Sequence, residues 1–192
     1  MKAAIAKPVA GDSAILAASP DGTRRALFLD RDGIVNVNHG YVHTAAATEW
    51  VPGVFDLARA AHRAGYLLVV ATNQAGIARG YYTRAQFEDY TRWVHARFVA
   101  EGAPLAATYY CPHHPVAGIG EFGVDCDCRK PRPGLLLRAA ADLGIDLGAS
   151  LLLGDSPSDV EAADAAGVRL AILCRDPARV AGLAQLFGGA RD

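Results

Sequence analysis

Residues 26–33 read Ala-Leu-Phe-Leu-Asp-Arg-Asp-Gly: four apolar residues, two carboxylates one position apart, then a glycine. An apolar run this short, bounded by Arg25 and Asp30, is the signature of a strand buried on both faces. The carboxylates Asp30 and Asp32 then fall on the turn that leaves it. Four further runs repeat the first pattern: Leu67–Ala71, Ala107–Tyr110, Leu151–Leu153 and Val168–Leu173. The segments between them carry helical spacing and helical punctuation. Val54, Leu57, Ala58 and Ala61 form one apolar face in a helix over Pro52–Ala64, and Gly65 closes it. Thr83 and Gln86 make a capping box for a helix ending near Gly102. Pro133–Leu143 ends on Gly144, and Ser158 with Glu161 opens a helix that ends at Gly167. Ala178–Phe187 reads as a tail helix.

Strands alternating with helices predict an α/β fold, a Rossmann-like mostly parallel sheet with helices on both faces. In such a sheet ligands bind beyond the carboxyl ends of the strands. The spaces between strands hold one helix or a loop each, so no large cap domain is expected. Residues 24–192 are read as one domain. Residues 1–23 are read as a flexible arm, because Lys7, Pro8, Gly11 and Asp12 interrupt any signal-peptide core.

Composition excludes several classes. The 192 residues are 52% hydrophobic, but 38 of those positions are Ala, and no apolar run reaches the roughly 18 residues a membrane span needs. Nineteen Lys and Arg balance twenty Asp and Glu, which argues against a nucleic-acid binder. The expectation is a cytoplasmic, monomeric protein without a membrane or nucleic-acid partner.

The strand ends carry the chemistry. A carboxylate at Asp30 can attack phosphorus while its neighbour Asp32 moves the proton. Thr72-Asn73-Gln74 follows the second strand with a hydroxyl and backbone N–H groups suited to phosphate oxygens. Lys130 precedes the fourth helix and can neutralise phosphate charge. Asp155 follows the fourth strand, where it can bind a cation, with Asp159 orienting the loop. Mg²⁺ suits one or two carboxylates plus phosphate and water oxygens. Each of these is also an ordinary turn or cap on its own, and their order along successive strand ends makes the case.

A second cluster lies in the loop 111–128. Cys111, Cys126 and Cys128, with an imidazole from His113 or His114, supply the soft ligands of a closed tetrahedral Zn²⁺ site. Four protein ligands leave no open position, so such a metal is structural. Cys174 remains as a buried thiol.

Taken together, the chain resembles the haloacid dehalogenase-like (HAD) phosphatases over roughly residues 24–174. The resemblance implies Asp30 as nucleophile, Asp32 as general acid/base, and Thr72 and Lys130 as grips on the phosphoryl group. It implies Mg²⁺ held by Asp30, Asp155 and the backbone carbonyl of Asp32. Many relatives have Thr where this chain has Ile34. The cysteine loop running into Cys-Arg-Lys-Pro is similar to that of a subgroup containing heptose 1,7-bisphosphate 7-phosphatases and histidinol-phosphate phosphatases, and it favours His113 as the fourth zinc ligand.

Within that subgroup, His39-Gly-Tyr-Val42 and Asn73–Gly80 are similar to the heptose bisphosphate enzymes. Histidinol-phosphate phosphatases share only the first part of the second segment, and polynucleotide 3′-phosphatases carry a similar Thr72–Gly80 segment but lack the zinc loop. The resemblance implies Mg-dependent removal of the 7-phosphate of a phosphorylated heptose, in precursor synthesis for bacterial surface polysaccharide. Substrate contacts are expected from Asn38, His39, Gly40, Tyr41, Asn73, Gln74, Ala75 and Arg129, the last a bidentate partner for a second phosphate. Histidinol-phosphate hydrolysis, another small sugar phosphate as substrate, and a non-catalytic zinc-stabilised scaffold are the competing readings.

Overall fold

The structure, a computed structural model, describes residues 6–11 and 24–188. Six strands form one sheet in the order β1-β4-β3-β2-β5-β6. They are β1 (Val9–Ala10), β2 (Arg25–Leu29), β3 (Tyr66–Asn73), β4 (Leu105–Cys111), β5 (Leu151–Gly154) and β6 (Leu170–Leu173). All neighbours are parallel except β1, which runs antiparallel along β4. The helices are α1 (Val54–Arg63), α2 (Ala75–Ala78), α3 (Arg84–Ala100), α4 (Gly134–Leu143) and α5 (Pro157–Ala166).

Side-chain alternation builds the layers. Leu27, Leu29, Leu68, Val70, Leu151 and Leu153 face α1 and α3, where Leu57, Val94 and Phe98 cover them. Phe28, Val69, Ala71 and Leu152 face α4 and α5 through Leu135, Leu136, Ala139 and Ala162. Phe28 and Leu29 are fully buried, and burial of such side chains stabilises by roughly 1.5–3 kcal/mol each. The central strand β2 is thus apolar on both faces, as the opening stretch demands. Successive strands are laid down on opposite sides of β2, with β3 and β4 to one side and β5 and β6 to the other, so β2 and β5 flank the switch point where α/β sheets open a crevice. No cap domain interrupts the described residues.

Several boundaries differ from the sequence reading: β6 begins at Leu170 rather than Val168, and the capping box of α5 is Ser156 with Asp159 rather than Ser158 with Glu161. Within the segment read as a flexible arm, Val9 and Ala10 pair with Thr108 and Ala107, and Ala6 and Val9 are buried. Two residues show no period, so nothing in the pattern announces this strand; residues 1–5 and 12–23 lie outside the described residues. β3 and β4 run one to two residues further at each end than their apolar cores, carrying Thr72, Asn73 and Cys111 within strands. The tail Pro177–Phe187 forms 3-10 turns rather than an α-helix. Gly182 weakens helix there, and the tail is pressed onto α1, where a Cβ on Gly53 would sit 2.4 Å from Ala181.

His95 of α3 is buried beside β4, its Nε2 2.8 Å from Thr108 Oγ1 and its Nδ1 without a partner. Burial pulls this imidazole down to about 4. The unfolded chain therefore binds the proton first, and stability is lost as pH falls from about 6.5 toward 4. The loss expected from this residue is at most about 3 kcal/mol. Urea unfolding at pH 7 and pH 5 will show a smaller drop for His95→Gln than for the natural chain.

Candidate functional site

The carboxyl ends of β2, β3 and β5 open into a cavity of about 460 Å³ at the switch point. Asp30, Asp32, Thr72, Lys130, Asp155 and Asp159 all line it. A larger apolar groove of about 790 Å³ lies at the outer edge of the sheet, around Leu173 and Leu183, and contains none of these residues.

Lys130 is the hub. Its ammonium is buried and reaches Asp30 Oδ1 at 2.9 Å, Asp159 Oδ1 at 2.5 Å and the Ala71 carbonyl at 2.7 Å. Burial pulls this ammonium down, but Asp30 and Asp159 more than offset that and hold it raised. Asp30 in turn is pushed up to about 7 by burial, against the pull of Lys130 and with the help of Asp159 and Asp32. Asp155 is also raised, by burial and then by Asp159. One ammonium does not balance the negative charge gathered here.

That excess is the condition for a cation. Ligand oxygens of Asp30, Asp155 and Asp159 lie within 4.8 Å of one another. Asp159 is engaged twice over, by Lys130 and by Ser156 N–H, which donates to its Oδ2 at 3.0 Å in the capping box of α5. The Asp32 carboxylate is engaged as well. It accepts from Arg31 (2.8 Å), Asn36 (3.1 Å) and Gln74 (3.2 Å). Asp30 and Asp155 keep carboxylate oxygens of the kind an oxygen-loving metal takes. Two glycines allow this crowding. A Cβ at Gly33 (φ +94°) would sit 2.1 Å from Asp155 Oδ2, and one at Gly154 would sit 2.3 Å from the Asp159 Cβ.

Asn73 and Gln74, expected at the substrate, line the cavity and also bond to their neighbours within the protein. Asn73 grips Lys130 by both backbone groups, donating to its carbonyl and accepting from its N–H at 3.0 Å each. Gln74 donates to Thr72 Oγ1 (2.8 Å) and Asp32, and accepts from the Tyr82 hydroxyl at 2.6 Å. Burial pushes Tyr82 up to about 12, so it stays a donor. Asn38, Gly40, Tyr41, Ala75 and Arg129 line the cavity as well. His39 does not; it turns to Glu49, 2.9 Å away on the surface. Ile34 is fully buried in the apolar core. Sequence reading missed Arg31, Asn36 and Tyr82. Only Arg31 carried a signal, as a cation lodged between two candidate catalytic acids.

The second cluster forms as a compact group. Cys126 Sγ is 3.6 Å from Cys111 Sγ and 3.3 Å from Cys128 Sγ, and His113 Nδ1 is 3.4 Å from Cys128 Sγ and 3.9 Å from Cys111 Sγ. A tetrahedron with ordinary zinc–sulfur and zinc–nitrogen bonds has edges of about 3.6–3.8 Å. All four cysteines are free thiols, so no disulfide competes. His114 is committed elsewhere, its Nδ1 accepting from Val116 and Ala117 N–H, which leaves His113 as the imidazole. Arg129 Nη1 donates to the His113 carbonyl at 3.2 Å, tying this cluster to the cavity.

Fold and site together define the class of HAD-like hydrolases, and the HAD-hydrolase-like family profile matches residues 127–179. Curated relatives extend the match. The chain is 48% identical over 150 residues to the D-glycero-beta-D-manno-heptose-1,7-bisphosphate 7-phosphatase of Vibrio cholerae, covering 78% of this chain and 81% of that one. It is 51% identical to the same enzyme of Salmonella typhi (78% and 80% covered) and 49% identical to the alpha-anomer enzyme of Burkholderia mallei (82% and 84%). Among solved structures, the D,D-heptose 1,7-bisphosphate phosphatase of B. bronchiseptica, complexed with magnesium and phosphate, superimposes with a TM-score of 0.72 at 29% identity, covering 86% and 99%. The chain belongs to the D-glycero-D-manno-heptose 1,7-bisphosphate 7-phosphatase family of phosphatases.

Gly33→Ala is expected to displace Asp155 and strain a left-handed backbone. Thermal unfolding monitored with and without Mg²⁺ will show the natural chain stabilised by the ion and the variant stabilised much less.

Proposed function

We propose that this chain removes the 7-phosphate from D-glycero-D-manno-heptose 1,7-bisphosphate, as a cytoplasmic enzyme supplying precursors for surface polysaccharide. One observation supports it most: a buried lysine and three clustered carboxylates at the switch point of a sheet whose relatives share this name.

The residues divide the work. Asp30 presents a carboxylate oxygen to the phosphorus, in line with the departing sugar oxygen. As the Asp30 O–P bond forms, the bond from phosphorus to the C7 oxygen breaks, and Asp32 gives its proton to that oxygen. Water then attacks the aspartyl-phosphate, Asp32 takes its proton, and the Asp30 O–P bond breaks to release phosphate. Lys130 and Thr72 hold the phosphoryl oxygens. A phosphate dianion repels a carboxylate, so positive charge must stand between them before they meet. Asp30, Asp155 and the Asp32 carbonyl would hold Mg²⁺, which would supply the rest of that charge. Arg129 serves the second phosphate as a bidentate donor, steadied by its tie to the cysteine loop. Cys111, His113, Cys126 and Cys128 would hold Zn²⁺, which would keep that loop closed.

Asp30→Asn should leave the fold intact and lower phosphate release from heptose bisphosphate by more than about 10⁴-fold; retained turnover would sink the nucleophile assignment. Comparison of kcat/KM on heptose bisphosphate and histidinol phosphate separates the two candidate substrates. Elemental analysis should find close to one zinc per chain. Chelation should lower Tm and expose the three loop thiols to a thiol reagent. Absence of zinc with all thiols reactive in the folded chain would refute that site.

A further inference from the structure

Arg31 sits between the two carboxylates of the turn after β2, yet it does not line the cavity. Its side chain is buried, with the guanidinium carbon 5.6 Å from the Phe87 ring centre and 5.3 Å from that of Tyr90. Nη2 donates to Asp32 Oδ2 at 2.8 Å and Oδ1 at 3.0 Å, and to the Val42 carbonyl at 2.6 Å. Nε approaches Asp32 Oδ1 at 3.3 Å, while Nη1 is buried without a partner. Taking a guanidinium out of water is costly, and here one of its donors stays unsatisfied. A fold seeking stability alone has a less costly solution in an apolar side chain of the same size. What this arrangement adds is geometry. A planar fork fixes a carboxylate in both position and rotation, which a lysine cannot do.

The Val42 contact extends the argument. Asn36 and Gln74 also hold Asp32, but only Arg31 joins it to the segment that ends the cavity-lining loop of Asn38, Gly40 and Tyr41. That loop is itself held under constraint: Tyr41 has a left-handed backbone (φ +55°) and meets Tyr81 edge-on at 4.7 Å. We infer that Arg31 is the positioning residue for proton transfer, locking the Asp32 carboxylate to loop 38–42 so that the acid/base is in place when that loop is seated. The inference rests on the phosphatase reading.

The test compares Arg31→Lys with the natural chain on two esters, using kcat/KM, which covers the steps up to alcohol release. Heptose bisphosphate has a poor alkoxide leaving group that needs a proton; 4-nitrophenyl phosphate has a good one that does not. Loss of positioning predicts a fall of about 10²-fold or more on the sugar ester and less than about 5-fold on the aryl ester. Equal falls on both, or no fall on either, overturn the inference. Crystallography of the variant gives a readout independent of activity. Asp32 should leave its contacts with Asn36 and Gln74, and loop 38–42 should shift; an unmoved Asp32 overturns the inference. If the natural chain hydrolyses neither ester, the phosphatase reading fails and the crystal structure alone decides the role of Arg31. Arg31→Met, which keeps the stem and removes the charge, takes the place of Arg31→Lys if the latter does not fold.

Discussion

The site depends on one buried ammonium. Lys130 is withdrawn from water between a strand end, a helix start and a neighbouring strand, and each supplies an oxygen: Asp30 after β2, Asp159 in the first turn of α5, Ala71 in β3. A cation in that position is tolerable only while all three stay in place. The elements are therefore tied by an electrostatic requirement as well as by apolar contact. The lysine also arrives by a controlled route, since Asn73 clamps its main chain and Cys128 of the metal-ligating cluster lies two residues upstream.

The surplus of carboxylates follows from the same constraint. Lys130 needs Asp30 and Asp159, and Asp155 is brought alongside them because Gly33 and Gly154 remove the side chains that would hold the groups apart. Burial first, and the neighbouring carboxylates after it, push Asp30 and Asp155 up. A divalent ion held there would offset that charge before a phosphate dianion arrives. Asp32 stands apart from this cluster: its carboxylate is occupied by Arg31, Asn36 and Gln74.

Much of this was legible in the sequence. Apolar runs ending in Asp30, Thr72 and Asp155 specified both the parallel sheet and the residues at its carboxyl edge, because the same strands that bury themselves also aim their last residues at the crevice. The cysteine spacing announced a soft-metal cluster, but two adjacent histidines were equivalent until His114 was seen accepting two N–H groups of its own turn. The limits are physical. Polar residues in a strand-end loop look alike in sequence whether they face a ligand or a neighbour. Asn73 and Gln74 line the cavity while bonding to Lys130 and Asp32, whereas His39 turns away to Glu49. Tyr82 carried no pattern, since its role depends on α2 folding back to bring it to Gln74. A two-residue strand such as β1 lies below the length at which periodicity exists at all.

The absence of a cap among the described residues bears on how the reaction would be shielded. Enzymes that close a domain over the substrate expel water by their own motion. Here the walls of the cavity belong to a sheet edge and short loops, among them exposed Tyr41, which meets Tyr81 edge-on. The part of the ligand that does not react must then act as the stopper. Discrimination would rest on whether the remote end of the guest fits the rim, because a guest too small to plug the mouth leaves bulk solvent in contact with the phosphoryl group.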